Sequence, residues 1–288
     1  MTTSATTCKS NQGIPDRVSA CVAIATQHRR LAAPLLSNYS VGAAVQIGET
    51  DIFGGANIEY GGGQGQADSK GIHAEEVAIA NAIMQRGREA KITLVAIHAA
   101  GSRPTCCGDC LDIIRTYSGP NLLVAVSGDD GLSVFTLEQL FPENFPVVEP
   151  GQLPPRIHDL IEQARRFSSF GYTRYCRAID RVSGVSLLAD SHTIYGGVRE
   201  DSVSYHPVSA VENALGASRI AQDIQLKAVA YVSETGRICG KDRQKLFERA
   251  SQTGKPDLPI YILSLNNNSI NFTTAAGLLP FGFTSDEF

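Results

Sequence analysis

Two short stretches, His73-Ala74-Glu75-Glu76 and Cys107-Gly108-Asp109-Cys110, decide how this chain reads. One imidazole and two thiolates can hold a zinc ion and leave its fourth position open to water. That is the donor set of a catalytic centre, not of a closed structural one. Cys107 and Cys110 are three apart, so at a helix start they share one face. The free N–H groups and the positive dipole end there favour thiolate over thiol. Glu75 stands two residues from the imidazole, placed to carry protons. Taken singly, His73 reads as a core histidine and the cysteines as buried thiols. Cys106 offers a fourth ligand for a structural site, although adjacent residues rarely bind one ion together.

Working outward, Ala74 to Met84 is almost wholly apolar or small, which predicts a helix buried on most faces and covered by a sheet. Ile92-Thr93-Leu94-Val95-Ala96-Ile97 reads as a buried strand, and a second helix starts near Cys107. Upstream, Asp16 to Leu31 is a helix, followed by strands at Val41–Ile47 and Asp51–Asn57. Downstream, Asn121–Val126 and Leu132–Phe135 are strands. Helices and strands alternate, so the class is α/β, a sheet sandwiched by helices in an α/β/α arrangement.

The pattern recurs. GAAVQIGETDIF from Gly42 to Phe53 aligns without a gap with GVSLLADSHTIY from Gly184 to Tyr195, and both run on into Gly-Gly. Leu140-Phe141-Pro142 near the end of the first half is echoed by Leu278-Leu279-Pro280. Each matched block reads as a strand, a tight turn and a second strand. The chain is therefore read as a duplicated domain. Residues 1–13 form a flexible tail, 14–146 a catalytic domain, 147–155 a proline-rich linker, and 156–288 a degenerate copy. In that copy Val208-Ser209-Ala210-Val211-Glu212 stands where the His73 helix begins. Gly240 and Arg243 stand roughly where Cys107 and Cys110 do, with only Cys239 nearby. The second half is expected to bind no metal and to serve packing.

Composition narrows the function. The 288 residues suit two domains, and 43% are hydrophobic, enough to build cores. The formal charge is −4 and there is no basic run. A nucleic acid polymer is thus a poor partner, and a small molecule a good one. No apolar run reaches membrane-spanning length. Seven cysteines, three of them within five residues, indicate metal usage in a reducing compartment. The expected location is the cytoplasm.

The H-x-E…C-x-x-C pattern is that of zinc deaminases acting on nucleobases. The chain resembles the cytidine deaminase family in its two-domain, homodimeric form. Ser37-Asn38-Tyr39-Ser40-Val41-Gly42-Ala43 is similar to the family's S-x-F-x-V-G-A. Gly55-Ala56-Asn57-Ile58-Glu59 matches G-x-N-x-E, His73-Ala74-Glu75 matches H-A-E, and Thr105-Cys106-Cys107-Gly108-Asp109-Cys110 parallels T-P-C-G-x-C. The resemblance implies one Zn2+ per chain on His73, Cys107 and Cys110, with Glu75 catalytic. It implies that Tyr39 stacks on the pyrimidine and that Asn57 and Glu59 hold the ribose hydroxyls. Ala74 and Thr105 would face the base carbonyl and the exocyclic amine. The implied reaction is hydrolytic deamination of cytidine or deoxycytidine in pyrimidine salvage, by a homodimer. The chain departs from the family at Cys106, where the family has proline, at Leu111-Asp112, and in a glycine-rich loop from Gly61 to Gly65. Those departures admit a modified cytosine nucleoside or another amino-heterocycle as substrate. A non-catalytic zinc scaffold is the remaining alternative.

Overall fold

The computed structural model describes residues 7–8, 15–61, 69–101, 104–173, 182–202 and 207–284. The chain divides into two compact units, Met1–Leu140 with Phe281–Phe288, and Phe141–Pro280. Compactness thus divides the chain slightly before the proline-rich stretch. That stretch itself holds a short 3-10 turn at Pro150–Gln152. The expected flexible tail lies outside the described residues except for Thr7–Cys8, and most of the glycine-rich loop lies outside them too.

The first unit contains β1 (Thr7–Cys8), α1 (Asp16–Arg29), β2 (Val41–Ile47), β3 (Asp51–Ala56), β4 (Ile58–Gly61) and β5 (Ser69–Ile72). It continues with α2 (Ala74–Arg86), β6 (Ile92–Ala99), α3 (Gly108–Tyr117), β7 (Ser118–Gly128), β8 (Gly131–Thr136) and α4 (Leu137–Leu140). Its main sheet has the order β1-β8-β7-β6-β2-β3. Only β6 and β7 run parallel, and α3 makes the crossover between them. The α1 helix packs on one face against β2 and β6, burying Val18, Cys21 and Ala25 with Ala44, Leu94 and Ala96. The α2 helix covers the opposite face over β2 and β3. These elements fall where the sequence periodicity puts them, with ends moved by a few residues, but α2 is not buried on most faces as expected: it buries Ala74, Glu75, Ala78, Ile79 and Ala82 against the sheet and leaves Ala80 and Met84 exposed. The β4–β5 hairpin was not legible, because a loop rich in glycine and polar residues joins two short strands.

The second unit contains α5 (Pro155–Ser168), β9 (Ser183–Ala189), β10 (Ile194–Val198), α6 (Ala210–Ile220) and β11 (Leu226–Ser233). It ends with α7 (Gly240–Gln252), β12 (Pro259–Ser264), β13 (Ile270–Thr274) and α8 (Ala275–Leu278). Its sheet order β10-β9-β11-β12-β13 repeats the order β3-β2-β6-β7-β8 of the first unit. The parallel pair recurs as β11–β12. Register is kept as well. Gly42 pairs with Ala56 across the β2–β3 hairpin, and Gly184 with Val198 across β9–β10.

Close approach of helix to sheet explains the shared Gly-Gly. A Cβ on Gly55 would lie 2.4 Å from the Ala74 carbonyl oxygen, and one on Gly197 2.0 Å from that of Ala210. Both glycines let the N-terminal turn of a helix sit directly on the hairpin.

The helix caps correct one detail of the repeat. Cys107 caps α3 and Cys239 caps α7, so these two correspond. The counterpart of Cys110 is then Asp242, not Arg243. The sequence alignment slipped by one residue because nothing in the composition of that helix fixes its start.

Candidate active site

The starts of α2 and α3 open at the same place. His73 is the N-cap of α2, and its N–H donates to the Glu76 carboxylate at 2.7 Å. Cys107 is the N-cap of α3, where its sulfur accepts the Cys110 N–H at 3.5 Å. Capping thus fixes two of the three donors before any metal is considered. His73 Nδ1 lies 3.1 Å from Cys110 Sγ and 3.3 Å from Cys107 Sγ. The three donor atoms lie within 4.8 Å of one another, the one such group among the described residues. A tetrahedral zinc with ordinary Zn–N and Zn–S bonds separates nitrogen and sulfur by about 3.5 Å. The donor set therefore fits one zinc ion with a coordination position to spare.

The electrostatics of the cluster are those of a site that exchanges protons for a cation. Hydrogen bonds from Cys110 and His73 hold the Cys107 sulfur well below the usual thiol range. Cys110 keeps its proton because it donates to that thiolate and is buried. The bond to Cys107 also raises His73 to about 10. A metal ion that binds here displaces these protons, so its affinity weakens as pH falls.

Glu75 is 5% exposed and burial raises its pKa, with the nearby His73 charge opposing that effect. Cys106 is buried and lies outside the group of three donors. Burial, then the Glu75 charge, keeps its thiol protonated.

His73, Glu75 and Cys107 line a cleft of about 150 Å3, which also includes Tyr39, Asn57, Glu59, Ala74, Thr105 and Phe283. Every site residue expected from the sequence lines the cleft except Cys110, which is buried next to Cys107. Asn57 accepts the Val41 N–H at 2.8 Å and donates to the Tyr39 carbonyl at 2.9 Å, which uses one of its two Nδ2 hydrogens. The Tyr39 hydroxyl donates to the Ala100 carbonyl at 2.9 Å, so its ring is held along the wall. Glu59 Oε2 accepts the N–H groups of Leu36 and Ser37 at 2.9 and 2.8 Å, and Oε1 accepts the Ser37 hydroxyl. Burial pushes this carboxyl up, but those hydrogen bonds outweigh it and keep Glu59 below the usual carboxylate range. Thr105 Oγ1 is buried with no hydrogen-bond partner among the described residues.

Phe283 was missed by the sequence reading. Its ring centroid lies 5.9 Å from that of Tyr39, tilted by 54°, while neighbouring Phe281 packs on Phe135 at 5.0 Å. Phe283 is remote in sequence from every motif of the site, and no local spacing announces it.

Residues 16–126 match the family described as the cytidine and deoxycytidylate deaminase zinc-binding region. The chain is 27% identical over 249 residues to a cytidine deaminase of Vibrio cholerae, covering 80% of this chain and 77% of that one. It is also 27% identical over 135 residues to a cytidine deaminase of Sporosarcina psychrophila, covering 46% of this chain and 93% of the relative. A solved cytidine deaminase from Burkholderia pseudomallei aligns with 44% of this chain and 98% of its own, at 27% identity and a TM-score of 0.39.

Proposed function

We propose that this chain is a member of the cytidine deaminase family, a zinc-dependent hydrolase converting cytidine or deoxycytidine to the uridine product and ammonia. The observation that carries the reading is the convergence of His73, Cys107 and Cys110 beside the buried carboxylate of Glu75, in a cleft that also holds Asn57 and Glu59.

His73 Nδ1, Cys107 Sγ and Cys110 Sγ would hold the ion. Zinc bound there supplies Lewis acidity that lowers the pKa of water toward neutrality. Glu75 accepts the proton of the attacking water and delivers it to ring nitrogen N3 of the base. A second proton passes through the same carboxylate to the departing amine, so that water enters and ammonia leaves. Burial suits Glu75 to this, because it raises the pKa above that of an ordinary carboxylate and so makes the group a better proton acceptor.

Tyr39 offers its ring face to the pyrimidine. Backbone at Thr105 and Ala74 faces the exocyclic amine and the base carbonyl. The Glu59 carboxylate has acceptor capacity beyond its three bonds, and with Asn57 it receives the sugar hydroxyls.

We also propose a homodimer in which the second unit serves packing. Leu35, Leu36, Ile58, Tyr60 and Ile72 are each at least 38% exposed and come together around the β4–β5 hairpin. An apolar patch of this kind marks an interaction surface. Among the described residues no helix is long and apolar enough to cross a membrane, and a free nucleoside substrate points to pyrimidine salvage in the cytoplasm.

The test is turnover of cytidine and deoxycytidine by zinc-loaded protein, followed by loss of cytosine absorbance and mass spectrometry of the product. The expected result is uridine product from the native chain. With Glu75→Gln, kcat should fall by about 10²–10⁴-fold at unchanged zinc content. Zinc-loaded protein that leaves both nucleosides intact would overturn the proposal.

A further inference from the structure

The second unit repeats the backbone of the metal site as well as the fold. His73 caps α2 at φ −76°, ψ 154°, and Ser209 caps α6 at φ −78°, ψ 160°. Cys107 caps α3 at φ −69°, ψ 163°, and Cys239 caps α7 at φ −67°, ψ 159°. The capping box of His73 with Glu76 recurs as Ser209 with Glu212. Each helix start is seated by its glycine, Gly55 in one unit and Gly197 in the other. Cys110 and Asp242 are both the third residue of their helices. His73, Cys107 and Cys110 therefore correspond to Ser209, Cys239 and Asp242.

The three side chains of the second set still meet. Asp242 is 1% exposed, and its carboxyl is hydrogen-bonded by the Ser209 and Cys239 side chains. Its Oδ1 has no hydrogen-bond partner among the described residues. A buried carboxylate with one oxygen uncommitted, beside a thiol and a hydroxyl, has the donor atoms of a cation site. The third donor is weak, because a neutral hydroxyl replaces the imidazole.

We propose that Ser209, Cys239 and Asp242 form a latent site for a divalent transition-metal cation of the zinc or cobalt(II) class. The scaffold is intact, and the identity of the donor at position 209 is what separates it from a competent site. Ser209→His alone creates a His/Cys/Asp set, and Ser209→His with Asp242→Cys restores His/Cys/Cys. Both are sets that zinc accepts. Val211 stands where Glu75 does in the first unit, so a refilled site would bind metal without adding turnover. The inference rests on reading His73, Cys107 and Cys110 as the zinc ligands.

The experiment strips the full-length chain of metal and titrates it with Co2+. Thiolate-to-cobalt charge-transfer absorption and elemental analysis give the ratio of metal to protein. The native chain should bind one cobalt, and both the single and the double variant two. With Cys107→Ala and Cys110→Ala added, the double variant should retain one. Deaminase activity should stay within twofold of native in the variants that keep Cys107 and Cys110. If the native chain binds no cobalt, the ligand reading of the first site fails. If it binds one, and the variants show native circular dichroism but also bind only one, the latent site is refuted. Should the double variant not fold, Ser209→His decides by the same ratio.

Discussion

Asp242→Asn tests the electrostatics of the second unit. Burial raises the Asp242 pKa from 3.8 to about 6, against the hydrogen bonds from Ser209 and Cys239. At 1.36 kcal/mol per pH unit, that displacement amounts to about 3 kcal/mol. The sign follows from linkage. A carboxyl whose folded pKa is raised favours the folded state most when protonated. Its contribution is fully present below pH 3.8 and is lost as pH rises through about 6. Asparagine cannot ionise, so the variant lacks this loss. The assay is urea unfolding of metal-free protein, followed by circular dichroism from about pH 3 to about pH 8, which brackets both pKa values. Asparagine carries its own cost, because a buried amide needs partners, but that cost is independent of pH. The stability of the variant relative to the native chain should therefore improve by about 3 kcal/mol across the window. With an m-value of about 2 kcal/mol/M, the relative midpoint moves by about 1.5 M urea. Parallel pH profiles for the two proteins would refute the assignment of a strained, buried charge to Asp242.

Phe283→Ala should raise KM about 3–10-fold through loss of the aromatic wall facing Tyr39. Its kcat and zinc content should hold within twofold, and steady-state kinetics with elemental analysis reads both. Gly55→Ala places a Cβ 2.4 Å from backbone atoms Ala74 O and Ala78 N. The start of α2 must then move with His73 and Glu75 on it. We expect a loss of about 1–3 kcal/mol in stability and weaker zinc retention against a chelator, measured by thermal melts and competition with a zinc indicator.

Much of this protein is legible locally. The apolar run of Ala74–Met84 gives the helix, though not its exposed side, and the three-residue spacing of Cys107 and Cys110 fixes their shared face. The matched Gly42 and Gly184 blocks reveal the duplication. These readings work because each depends on neighbours within a turn or a hairpin. The position of Asp242 was not legible, since its meaning lies in a cap geometry shared with Cys110, and no residue identity carries it. The double use of Asn57, which ties Tyr39 and Val41 together while facing the cleft, was also hidden, because its partners are 16 and 18 residues away in sequence.

The sequence by itself singled out the donor set, the carboxylate proposed for acid–base work and the order of elements, because chemistry and periodicity are properties of residue types at fixed spacing. Tertiary structure decided which atoms meet. It brought His73 Nδ1 to within 3.3 Å of both thiols, and it left Cys106 outside the donor group although Cys106 adjoins Cys107. It also returned Phe283 to the cleft from the far end of the chain. The physical reason is that helix starts are aimed by how closely each helix packs on its sheet. That packing depends on small residues such as Gly55, whose partners are distant in sequence.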